Sequence, residues 1–222
     1  VMIPTILLTG SRQSIMFVFM NIFIIFYFMN RKSLNNRLKF ISIIVLISLF
    51  AYYLIFSVPL FYQIIGRRLE NIFYFVLGKE INESSLSVRA DMIRIGFELF
   101  MSKPISGYGV DNYRILYSNL TNRASTYAHN NYIDLLVGTG IFGVFVYYLI
   151  HIIILKDLLV YSRQVDNKTI YFVFIAIIIS YMILSFAKVY YYEKYISYIF
   201  AVASVITKID RDEKLKIKNS KE

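Results

Sequence analysis

The amino-acid sequence predicts an all-α, polytopic integral membrane protein with a long helical loop on its outer face. Three observations carry this. The 222-residue chain is 58% hydrophobic, with a mean hydropathy of +0.57, where soluble domains hold about 45–50% apolar residues. Several uncharged runs reach the roughly 20 residues a helix needs to cross a bilayer. The basic residues behind the net charge of +10 lie between those runs. They read as cytoplasmic loops, and no nucleic-acid partner is expected. Cysteine is absent, so neither disulfides nor thiolate metal sites are open to this chain. No signal peptide is readable, since a basic start and a small-residue cleavage site are missing. The opening VMIPTILL is too short to span, and the chain reads as the C-terminal part of something longer.

The spans follow in order, within a single membrane domain covering 1–222. Gln13–Asn30 is the first. Leu38–Tyr62 is the second, with Pro59 near its end. Tyr132–Leu155 is the third. Ile170 to Thr207 is too long for one crossing, and Lys188, Glu193 and Lys194 interrupt it. It divides into spans at 170–187 and 190–207. The loop between the first two spans carries Arg31, Lys32, Arg37 and Lys39 and no acid, which places it in the cytoplasm. Alternation then puts 63–131 outside. It puts 156–169 and the tail 208–222 inside. No span carries Asp, Glu, Lys or Arg near its middle, where ion-coupled transporters usually need one. A transporter or flippase for lipid-linked sugars, the alternative of another class, would show a charged or broken span, and none is legible.

The polar chemistry is concentrated in the outer loop. Val88, Met92, Ile95 and Leu99 recur at helical spacing, so Ser87–Ser102 is expected to be an amphipathic helix. Pro104 stops it. Arg94 has Asp91 and Glu98 within helical reach and reads as an ion-pair residue. Arg89 has no acid at those offsets. It suits bidentate phosphate binding and equally suits a lipid headgroup. Gly107 and Gly109 permit a tight turn, either plain or presenting amides to phosphate. Asp111 is placed to cap a short helix beginning near Asn112.

His129 precedes the third span, with Asn130 or Asn131 as the helix cap. The positive end of the helix dipole there favours the neutral imidazole. Such a His could act as a general base toward a hydroxyl or make a structural hydrogen bond at the interface. His151, near the inner end of the same span, is given no role.

Two motifs are set aside. Gly138, Gly140 and Gly143 spell GxGxxG, with Asp157 downstream. A dinucleotide fold would follow them with an amphipathic helix on a sheet, but VFVYYLIHIIIL is apolar on every side. The glycines read as packing inside one membrane helix, with Thr139 and Gly143 as a small-residue pair for helix approach. Asp210-Arg211-Asp212 resembles a metal-binding DxD, but it sits in a charged tail and reads as solvated. The outer carboxylates Glu70, Glu80, Glu83, Asp91, Glu98 and Asp111 lack metal-ligand spacing. No metal and no cofactor is expected.

Three separated pieces together resemble the O-antigen ligase and polymerase family of bacterial membrane proteins. They are LLTGSRQS (Leu7–Ser14), SVRADMIRIGFELFMSKPISGYGVDNY (Ser87–Tyr113) and AHNNYIDLLVGTGIFG (Ala128–Gly143). The resemblance implies a membrane-embedded, inverting, metal-independent glycosyltransferase at the outer face of the cytoplasmic membrane. Its donor would be an oligosaccharide on a polyprenyl diphosphate and its acceptor a sugar hydroxyl. Other polysaccharide-assembly proteins are implied as further partners. Polymerisation of capsule or O-antigen-type repeats is favoured over ligation to a different surface acceptor. Carried over by position, Arg12 and Arg89 hold the diphosphate and His129 activates the acceptor. Ser11, Arg94, Gly107, Gly109, Asn112 and Asn130 support them. Many members carry an acid where this chain has Gly138, and the chain is shorter than typical members.

Overall fold

Apolar helices account for most of the architecture. A computed structural model describes residues 12–30, 33–77, 84–165 and 168–219. The helices, in chain order, are α1 (Arg12–Met29), α2 (Leu34–Ser57), α3 (Pro59–Phe61), α4 (Arg67–Val76), α5 (Ser84–Ser102), α6 (Tyr113–Thr121), α7 (Asn131–Tyr161), α8 (Thr169–Leu184) and α9 (Lys194–Asn219). A π-helical turn, Tyr62–Gly66, joins α3 to α4. No strand occurs among the described residues. Residues 30–92 form one unit, and the described parts of 1–29 and 93–222 form the other.

In the unit of 30–92, Ser33 caps α2 by accepting from the Asn36 amide at 3.3 Å. The cap explains why the helix starts at Leu34 rather than Leu38. It ends at Ser57 rather than continuing to Tyr62. Val58 is extended and Pro59 begins the next short helix, as the steric demand of proline on the residue before it requires. α2 buries none of its residues. Its 24 residues reach about 36 Å, enough for the ~30 Å hydrocarbon core of a bilayer. α2 and α7 are the two described helices long and apolar enough to cross a membrane. Met16–Met29 and α8 are shorter apolar helices.

In the other unit, α8 packs on α1 and on α7, and α7 also contacts α9 and α6. One core cluster joins Ile154 and Leu158 of α7 to Tyr171, Phe172, Ile175 and Ile178 of α8 and Ala203 of α9. Phe28 of α1 reaches it, with its ring 5.6 Å from that of Phe172. A second cluster, Tyr181, Leu184, Tyr190 and Ile196, takes in Phe17 and Met20 of α1. The apolar stretch after α7 is two helices, and Lys188 pairs with Glu193 at 3.0 Å in the turn between them. α9 runs through the charged segment after Lys208 as far as Asn219. Lys and Glu there are good helix formers, so charge alone does not end the helix.

α7 is longer than expected and it is not continuous. It spans 31 residues, and Gly140 inside it has φ 65 and ψ −171. The Thr139 side chain folds over Gly143 within the same helix, where a Cβ on Gly143 would meet it. The close approach is at Gly138 and Gly140, against the turn that follows α5.

Candidate active site

The break at Gly140 frees backbone groups, and an apolar surrounding leaves them no water. The turn after α5 supplies partners. The amides of Tyr108 and Gly109 each donate, at 2.8 Å, to the carbonyls of Val137 and Gly138 respectively. The Ile141 amide donates to the Pro104 carbonyl, also at 2.8 Å. Gly107 and Gly109 have positive φ, 63 and 103, as does Asp111 at 64. Those angles fold the turn tightly enough for its backbone to lie on α7. A Cβ on Gly107 would stand 2.6 Å from the Gly138 carbonyl, and one on Gly138 would stand 3.3 Å from the Gly109 oxygen.

This decides between the two readings of the glycine turn. The Gly107 amide donates to Lys103 at 3.1 Å, so all three amides across Gly107–Gly109 are engaged within the protein. None is offered to a phosphate, and the turn is a strap over the helix break. The long apolar helix is therefore broken at Gly140, and backbone of the strap pairs with the groups on either side of the break.

Beyond the strap, Asp111 does not cap α6. Its carboxylate pairs with Arg114 at 2.6 Å, and Asn112 is the capping residue by position, with no side-chain cap bond. The Asn112 side-chain Nδ2 instead donates to the Tyr108 carbonyl at 2.6 Å, holding the turn. Arg94 pairs with Glu98 at 2.9 Å. Arg89 is an exposed residue of α5 within the unit of 30–92. Ser11 lies outside the described residues.

His129 enters α7 through a left-handed backbone, φ 51. Non-glycine residues adopt that conformation uncommonly, and it recurs at functional sites where surrounding contacts enforce it. The contacts are specific. Asn130 is the cap, with Oδ1 accepting from Tyr132 at 2.9 Å and Ile133 at 3.1 Å. On the other side of His129, the Ala128 amide donates to Asp134 Oδ2 at 3.0 Å. Asp134 Oδ1 accepts from the Tyr191 hydroxyl at 3.2 Å. Burial first, and then the Asp134 carboxylate, push the Tyr191 phenol up from its ordinary value. Tyr191 therefore stays protonated as the donor. The Tyr127 ring lies 4.3 Å from the His129 ring.

Asn131 ties the same segment to the turn between α8 and α9. Its side-chain oxygen accepts from the amides of Tyr190 at 2.7 Å and Tyr191 at 3.0 Å. Its nitrogen donates to the Tyr148 hydroxyl at 2.9 Å, and its own amide donates to the Ser185 carbonyl at 2.8 Å. The start of α1 meets that turn too. Gln13, next to Arg12, donates to the Ala187 carbonyl at 3.3 Å. The first turn of α1, through Gln13, and the His129 segment are thus both fastened to residues 185–191.

Two cavities flank this turn. One, of about 420 Å³, is lined by Gln13, Ser14, Phe17 and Val18 of α1, by apolar residues of α8 and α9, and by Lys188 and Tyr190. The other, of about 530 Å³, is lined by Val110, Asp111, Arg114, Ser125, Thr126, Tyr127, Tyr191 and Tyr192. Asp134 was not expected at the site, and Asn131 was expected only as an alternative helix cap. Each is a buried polar residue in the first turn of an apolar helix, and that placement was the available signal.

No curated protein matches the chain. The family model described as O-antigen ligase matches residues 1–148, about two thirds of the sequence. The chain therefore belongs to the O-antigen ligase family, membrane proteins that act in the assembly of surface glycans.

Proposed function

We propose that this protein transfers an oligosaccharide from a polyprenyl diphosphate to an acceptor sugar hydroxyl, at the outer face of the cytoplasmic membrane. In this reading it is a multi-pass protein that polymerises repeat units by a single inverting displacement without a metal. The acceptor oxygen forms a bond to the anomeric carbon as that carbon's bond to the diphosphate oxygen breaks. The electron pair leaves with the diphosphate, whose growing charge Arg12 and Arg89 stabilise. The hydroxyl proton passes to the His129 imidazole.

The observation that carries the reading is the common anchorage on residues 185–191. Gln13 holds the Arg12 end of α1 there, and Asn131 holds the His129 segment there. Preorganisation of this kind keeps a leaving-group site and a base in fixed relation. The cavity beside Gln13 and Ser14, apolar along α8 and α9, suits an isoprenoid chain.

The test is chain growth in liposomes carrying a diphosphate-linked oligosaccharide. His129→Ala should fold normally and form no polymer, and polymer of undiminished length would overturn the base assignment. Product analysis with defined acceptors separates polymerisation from ligation to a different surface molecule.

A further inference from the structure

The cleft of about 530 Å³ beside His129 has a composition that the transfer chemistry above does not use. Its volume falls within the roughly 300–1,000 Å³ of small-ligand sites. Three of its lining residues are tyrosines: Tyr127, Tyr191 and Tyr192. The rings of Tyr191 and Tyr192 stand at 76°, with centroids 5.2 Å apart, so they form a corner of two faces. The charged residues lining it are Asp111 and Arg114, paired with each other at 2.6 Å. Ser125 and Thr126 add hydroxyls.

A pyranose ring presents C–H bonds on its faces and hydroxyls around its rim. Aromatic faces take the former. A carboxylate and a guanidinium, each with two parallel contacts to offer, take adjacent hydroxyls. The geometry points to this cleft as a subsite for an uncharged sugar residue of the acceptor glycan. This rests on the glycosyl-transfer reading. Tyr127 lines the cleft and also lies 4.3 Å, ring to ring, from His129. A sugar seated against Tyr127 is therefore one ring away from the imidazole.

The charge balance sets the selectivity. Arg114 is compensated by Asp111, and the Asp134 carboxylate stands behind Tyr191. An acidic sugar would have to displace Asp111 from Arg114 and then face the freed Asp111 carboxylate, with buried Asp134 adding negative charge behind Tyr191. The Asp111 backbone has φ 64, a conformation that Asn adopts as readily as Asp. Asp111→Asn therefore removes the charge and keeps the turn. It leaves Arg114 uncompensated, and the preference should turn toward acidic sugars.

The experiment is saturation-transfer NMR on the full chain in detergent. The probes are lipid-free oligosaccharides of neutral hexoses and N-acetylhexosamines, with uronic-acid counterparts of the same length. Neutral members of the panel should bind more tightly than their acidic counterparts. Tyr192→Ala, at a half-exposed ring, should weaken them about tenfold. Asp111→Asn should reverse the order of neutral and acidic probes. The subsite is refuted if no probe binds, if Tyr192→Ala and Arg114→Gln leave binding unchanged, or if wild type prefers acidic probes. Binding intact with no transfer in wild type would break the transfer reading and leave the subsite standing. Transfer intact with no probe bound would do the reverse.

Discussion

Gly140 of α7 lies directly under the carbonyl of Ile105. Its backbone, at φ 65 and ψ −171, occupies a region essentially restricted to glycine. A Cβ there would overlap the Ile105 oxygen, and the next amide, Ile141, donates to Pro104 at 2.8 Å. Helix and strap are built around each other at this point.

Gly140→Ala should therefore cost at least about 1–3 kcal/mol from backbone strain alone, with steric displacement of the strap in addition. Gly107→Ala should act in the same direction, since its Cβ would press on the Gly138 carbonyl at 2.6 Å. The check is thermal unfolding in detergent, where each kcal/mol lowers Tm by roughly 2–4 °C for a chain of this size. An unchanged Tm in both variants would refute the strap.

The long apolar helices were legible as apolar runs, and the stop at Pro104 as a proline after a helical pattern, whereas α4 (Arg67–Val76) lay inside the expected outer loop and was not foreseen. Asn130 and Asn131 both looked like caps. The structure separates them because Asn131 reaches residues 59 and 60 positions away, a relation that helix periodicity does not encode. The GxGxxG spacing was loud and its dinucleotide meaning false. Its true role needed the partner strap, 29 to 37 residues earlier in the chain. Asp134 escaped because a span is searched for charge at its middle, and this acid sits in the first turn. The cleft tyrosines come from 127 and from 191–192, segments that only the tertiary fold brings together.

Asp134 holds the backbone on one side of His129. Asp134→Ala would leave the buried Ala128 amide and the Tyr191 hydroxyl without their acceptor. The expected loss is about 1.5–3 kcal/mol, the range for hydrogen bonds to a charged group. Asp134→Asn retains one acceptor oxygen and should lose less. If Asp134 positions the base, kcat should fall in both variants while KM for the donor changes little. A fall in Tm with kcat intact would mark a purely structural role.

Asn131 is fully buried and serves as the link to the turn between α8 and α9. Asn131→Ala would leave the Tyr190 and Tyr191 amides unpaired, at about 1–3 kcal/mol for each buried group left unsatisfied. Because Gln13 is fastened to that same turn, loosening should spread to the start of α1. Hydrogen–deuterium exchange should rise across 185–193 and in the first turn of α1. Faster exchange in the turn alone would show that the two anchorages are independent.

Arg89 separates phosphate binding from headgroup anchoring. It is exposed on α5, so replacement should change stability by less than about 0.5 kcal/mol. Arg89→Gln should slow transfer by about 100-fold, the scale for losing one preorganised donor to developing charge. Arg89→Lys is the decisive variant. A headgroup contact needs only the positive charge, and lysine would supply it. A diphosphate held by two parallel N–H groups needs the planar guanidinium, and lysine should then recover only a small part of the lost rate. Full activity in Arg89→Lys, measured as polymer formed per minute in liposomes, would assign Arg89 to the lipid surface and leave the leaving group to Arg12.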